Sequence, residues 1–65
     1  MKIDYDAETD TLNILFRDCL IKESDEIRPG VVADFGEDNL LVGLEIFEAS
    51  RTIEKTREVQ FAVAG

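Results

Sequence analysis

Apolar residues recur at every second position in four separate stretches: Ile3 and Tyr5; Leu12, Ile14 and Phe16; Val31, Ala33 and Phe35; and Leu40, Val42, Leu44 and Ile46. Successive side chains of a strand point to opposite faces, so this period of two predicts four strands sharing one apolar face. The connections DAETD, at 6–10, and GEDN, at 36–39, are polar, turn-rich and of the length that joins antiparallel neighbours. Pro29-Gly30 fits the central positions of a type II turn, with Pro fixing the first dihedral and Gly supplying the positive one. That turn bends the chain from Glu23–Ile27, itself a short polar edge strand, into Val31. Gly43 lies inside the most apolar stretch, where a residue without a side chain marks a bulge or twist point.

The fold class expected is mainly β, α+β by strict count: an antiparallel β-meander of four or five strands with one short helix near the C-terminus. Its core should hold Ile3, Tyr5, Leu12, Ile14, Phe16, Val31, Phe35, Val42, Leu44 and Ile46. On this reading Phe16→Ala costs about 3–5 kcal/mol, the loss for a buried aromatic ring. The opposite face carries Leu15, Val32, Leu41 and Phe47, too apolar for a sheet that meets water there. Residues 49–57, with Ala49, Ile53 and Thr56 at helical spacing, are expected to form a short helix that helps to cover it. The stretch EVQFAVA, at 58–64, alternates like a strand and suits pairing within the chain or across a dimer interface. A chain of 65 residues holds one domain, here 1–65, with a sheet over 1–50 and a helix end and tail strand over 51–65. A domain this short buries only about 60% of its unfolded surface, so a homodimer is expected to supply further burial.

The net charge is -8 and is unevenly spread. Residues 1–50 carry Lys2, Arg17, Lys22 and Arg28 against thirteen carboxylates, while 51–65 are nearly neutral. Nucleic-acid binding depends on clustered Lys and Arg that release phosphate counterions, so an acidic body argues against it and permits a basic protein partner instead. No apolar stretch approaches the roughly 18 residues of a membrane span, and no apolar leader follows Met1. The single Cys19 forms no internal disulfide. A cytoplasmic location, away from membranes, is the expectation.

Four carboxylates at alternate positions, Asp4, Asp6, Glu8 and Asp10, suggest a calcium loop. An EF-hand loop needs Gly at its sixth position and a bidentate Glu at its twelfth. From Asp4 those positions are Thr9 and Leu15, and from Asp6 they are Thr11 and Arg17. DAETD therefore reads as a solvated hairpin loop, with Asp6, Glu8 and Asp10 as no more than a weak divalent-cation site. Asp34 and Glu45 face each other across the second hairpin and pose as a general acid and base, but no histidine or oxyanion donor accompanies them and they read as surface carboxylates. The chain has no His, which removes triads and zinc-histidine chemistry. Cys19 follows Asp18, whose charge opposes thiolate formation. No catalytic residue, cofactor or metal is assigned, and an enzyme is not expected. The side chains proposed to meet a protein partner are Glu37, Asp38, Glu45 and Glu48.

The ordered set Tyr5-Asp6-x-Glu8-x-Asp10-x-Leu12-x-Ile14, Glu26-Ile27-x-Pro29-Gly30-Val31, Asp34-Phe35, Asp38, and Val42-Gly43-Leu44-Glu45-Ile46 with Ala49-Ser50 resembles the small prokaryotic domain-of-unknown-function family numbered twenty-two eighty-three. The likeness covers residues 1 to about 50. Departures are Asn39, where a turn Gly is more frequent, and Asn13, where an aromatic is; Asn also accepts left-handed geometry. The resemblance implies a stand-alone prokaryotic cytoplasmic protein with no assigned activity, and a small basic toxin-like protein as the kind of partner to test.

Overall fold

The structure is a computed structural model and describes residues 1–54. The expected tail strand at 58–64 and the end of the expected helix, 55–57, lie outside the described residues. Five strands form one antiparallel sheet: β1 (Lys2–Asp6), β2 (Thr11–Leu15), β3 (Glu23–Arg28), β4 (Val31–Phe35) and β5 (Leu41–Phe47). Their order across the sheet is β1-β2-β5-β4-β3. The expected meander is thus interrupted once, after β2, where residues 16–22 carry the chain to the far edge. β5, the longest strand, occupies the centre between β2 and β4. Both expected hairpins form, and the polar stretch at 23–28 is an edge strand as its composition indicates.

Local chemistry fixes each turn. Gly30 takes φ 81°, the positive dihedral that the second central position of the Pro29-Gly30 turn requires. Asn39 closes the β4–β5 hairpin at φ 65°, and its N–H donates to Gly36 O at 3.0 Å. Gly43 marks a register shift: Asp34 pairs with Gly43 but Phe35 pairs with Leu41. A Cβ on Gly43 would stand 2.5 Å from Ile14 O, so glycine here lets β2 and β5 approach.

Register places Ile3 opposite Ile14, Tyr5 and Ile46 opposite Leu12, and Leu44 opposite Ile14 and Ala33. The side chains on this face meet the segment that follows β5. Ile3, Leu12 and Ala49 form a buried cluster, with Tyr5, Ile14, Ile46 and Ile53 packed against it. The covering segment is a single 3-10 turn, Ala49–Arg51, rather than the expected helix, and it packs on the Ile3 and Leu12 face instead of the opposite one. Leu15 and Val32 on the opposite face stay half-buried and Phe47 is exposed. Val42 is fully buried, as are Ala33, on the apolar face that the alternation predicts, and Ala49 in the covering segment.

Phe16 corrects the sequence reading. It is 40% exposed, because β2 ends at Leu15 and Phe16 begins a bend, even though its N–H still donates to Val42 O at 2.7 Å. Alternation extrapolated past the last strand residue put it inside. Tyr5, Ile14, Val31, Phe35, Leu44 and Ile46 are half-buried, as expected of a single sheet covered by a short segment. Among the described residues no helix is long and apolar enough to cross a membrane.

Candidate functional site

The carboxylates singled out from sequence separate into those the fold uses and those it leaves free. Asp10 belongs to the first group. It sits at φ 52°, a left-handed conformation that Asp tolerates better than most residues. Its Oδ1 accepts from Tyr5 Oη at 2.7 Å and from Ser50 N–H at 3.0 Å, and its Oδ2 accepts from Ser50 Oγ at 2.6 Å. Its carbonyl also accepts from Ala49 N–H at 2.9 Å. The hydroxyl of Ser50, then that of Tyr5, holds the Asp10 carboxyl below its usual range. Asp6 Oδ1 accepts from Glu8 N–H at 3.0 Å, a local loop bond, while Glu8 is exposed. Asp6, Glu8 and Asp10 do not converge, and among the described residues no three such groups stand close enough to hold a metal ion. The acidic loop is a latch on the 3-10 turn.

Asp38 is likewise committed. Arg17 grips it with two bonds, Nη1 to Oδ2 at 2.7 Å and Nη2 to Oδ1 at 2.6 Å, and also donates to the carbonyls of Leu40 and Leu41. This planar fork holds the Asp38 carboxyl well below the usual carboxylate range. Glu48 takes φ 52° at the start of the 3-10 turn and pairs with Arg51 at 2.8 Å, both side chains lying largely in solvent. Glu37 is exposed in the β4–β5 turn. The four side chains proposed to form one protein-binding surface are therefore dispersed: Glu37 and Asp38 at one end of β5, Glu48 beyond the other, Glu45 between them.

Asp34 and Glu45 do come together, but not as surface groups. Asp34 is 5% exposed and accepts from Ser24 Oγ at 2.6 Å. Glu45 is half-buried, and burial first, then its hydrogen bond to Asp34 and the charge of Asp34, push its carboxyl above the ordinary range. Burial and the nearby carboxylate both favour the protonated form of Glu45. They line an open concavity of about 420 Å³ with Lys2, Asp4, Asn13 and Ile21. Chemically, the Glu45 carboxyl can hold and release a proton beside Asp34. Cys19 is exposed in the loop at 16–22 and does not line this concavity.

β3 carries acidic residues that the site assignment from sequence left out. All six of its residues are exposed, and Glu23, Asp25 and Glu26 fall within them. Neither ion pair among the described residues involves this strand. The signal was present in the sequence: ESDEIR has three carboxylates and a single apolar residue, the pattern of a strand that faces water on both sides.

A family model described as Protein of unknown function (DUF2283) matches residues 2–50, three quarters of the chain. The chain belongs to this family. No curated protein and no solved structure matches it. The DUF2283 match begins with β1 and closes at Ser50, the residue whose hydroxyl and N–H reach back to Asp10. The family unit thus contains both halves of that latch and the whole of the five-stranded sheet.

Proposed function

We propose that this DUF2283 protein is a non-enzymatic protein-binding module that takes up a basic partner along β3. The observation that carries the reading is the exposed edge strand Glu23–Arg28, whose three carboxylates form no ion pair among the described residues while Asp10, Asp34 and Asp38 are used inside the fold. A negative edge in a chain of net charge -8 steers a positive protein toward it and repels nucleic-acid backbones. The setting that suits such a protein is a prokaryotic cytoplasm. Self-association belongs to the same proposal and uses a different surface, because two β3 edges set side by side would oppose carboxylate to carboxylate. The exposed apolar residues Phe16, Leu20, Leu40 and Leu41 suit that second contact. Sedimentation at rising protein concentration checks it; a monomer throughout would remove self-association from the reading.

The test of partner binding is affinity capture from the native lysate at low and high salt, with wild type beside the triple variant Glu23→Lys, Asp25→Lys, Glu26→Lys and the loop variant Glu8→Lys. A basic protein held by wild type and Glu8→Lys, released by salt and lost from the triple variant, is the expected outcome. Retention that ignores salt or survives reversal of β3 would overturn the proposal.

A further inference from the structure

The ladder bonds of the sheet determine which backbone groups of β3 are free. Phe47 N–H donates to Gly30 O at 2.8 Å, which makes Gly30 and Phe47 a hydrogen-bonded pair at the start of β4. In an antiparallel sheet successive residues bond alternately to one neighbour and the other. Val32 and Asp34 therefore bond to β5, and Ala33 and Phe35 bond to β3. Their partners there are Asp25 and Glu23. The Phe35 carbonyl does point to the β3 side, where it accepts from Lys22 N–H at 2.8 Å just before β3 begins. The N–H and C=O groups of the alternate residues, Ser24 and Glu26, must then point away from the sheet. Among the described residues no strand pairs with that side, since β3 ends the strand order.

Side chains follow the same alternation. Glu23 and Asp25 lie on one face, Ser24 and Glu26 on the other, and the Ser24 hydroxyl is already bound to Asp34. We propose that the basic partner of the preceding reading docks by strand addition, antiparallel to β3, with ladder bonds at Ser24 and Glu26. Its residues then read, from N to C, basic, basic, any, basic: the first opposite Glu26, the second opposite Asp25, the third opposite Ser24 and the last opposite Glu23. Antiparallel addition is favoured because every pairing in this sheet is antiparallel and because its perpendicular bonds are the more stable per residue. Positions opposite Glu23 and Asp25 are the closely spaced, non-bonded kind, where cross-strand charge pairs are in reach. The register shift between Glu26 and Arg28 ends the regular edge, so the recognised segment is short.

The proposal rests on the partner-binding reading, and the experiment separates the two. The full chain is titrated at low salt with a capped peptide of sequence VTKRVRVT, with its reversal TVRVRKTV, and with the first peptide N-methylated at the Lys and the central Val that meet Glu26 and Ser24. Amide exchange of the protein is followed residue by residue. The expected result is tightest binding of the first peptide, about threefold weaker binding of the reversal, which misplaces one charge pair, and loss of most binding on N-methylation. The amides of Ser24 and Glu26 slow on binding, while those of Glu23 and Asp25 are protected beforehand. Equal, salt-sensitive binding of all three peptides with Ser24 and Glu26 amides unchanged would overturn strand addition and leave an electrostatic binding module standing. Tighter binding of the reversed peptide would overturn the antiparallel assignment. Absence of binding by every peptide, together with capture that ignores charge reversal of β3, would overturn both readings.

Discussion

At the level of single residues, Asp10 does the most with the least. One carboxylate joins the β1–β2 loop, the Tyr5 hydroxyl and the start of the 3-10 turn, and its left-handed backbone is what aims it. Asp10→Ala leaves Tyr5 and Ser50 without that acceptor and should lower the midpoint of a chemical melt. Asp10→Asn, which keeps an acceptor and tolerates the same dihedral, should cost less. Glu45 behaves in the opposite sense with pH. Its carboxyl in the fold lies above the ordinary 4.5, so the stability its protonated form lends is complete at and below that value and is lost as pH rises through the folded-state value. Glu45→Gln supplies an amide donor to Asp34 at any pH. It should raise the melting temperature at neutral pH by roughly 4–8 °C, equivalent to about 1 kcal/mol, with the gain shrinking as the pH falls toward the ordinary carboxylate range. Neither role was legible in the sequence, which offered Asp10 as a loop ligand and Asp34 and Glu45 as surface groups. Carboxylate spacing reports what lies nearby along the chain. Ser50, forty residues from Asp10, and Ser24, ten residues from Asp34, carry no such mark.

Among the elements, strands and turns were legible because their signals are local. Period-two alternation located the strands and Pro29-Gly30 located a turn whose positive dihedral is present. What alternation does not encode is where a strand stops, and Phe16 lies one residue past the end of β2. A direct comparison exposes the difference: Leu12→Ala, at a site only 1% exposed, should cost about 2–5 kcal/mol, whereas Phe16→Ala should cost well under the about 3–5 kcal/mol of a buried ring. Urea midpoints of the two variants settle it. Gly43→Ala is a third case, since no flexible side chain stands in the way of its Cβ. The obstacle is the Ile14 carbonyl at 2.5 Å, so β2 and β5 must part, at a cost at the upper end of about 1–3 kcal/mol. Helical spacing over 49–57 misled for a different reason. Glu48 enters the segment with left-handed backbone and the turn that follows closes on Asp10, so tertiary bonding rather than propensity sets its conformation.

For the molecule as a whole, the sheet is one layer, with a shortest extent of 16 Å, and its two edges are chemically unlike. β1 carries apolar residues of the covered cluster, whereas β3 carries none that is buried. Acidic side chains on such an edge also discourage indiscriminate strand pairing, so the same charges that would select a basic partner protect the sheet from its own copies. The latch between Asp10 and Ser50 has a further consequence, in time rather than in stability. It spans forty residues and joins a hairpin that forms from local contacts to a turn that cannot dock until β5 lies beside β2. Closure over that distance comes late, after the central pairing has formed, so the bond should be absent from the folding transition state. Asp10→Ala should then leave the folding rate nearly unchanged and speed unfolding by most of its full stability loss, visible as a steeply raised unfolding limb in stopped-flow denaturant jumps. The family unit that ends at Ser50 would on this account carry at its last residue the contact that sets how long the native state survives.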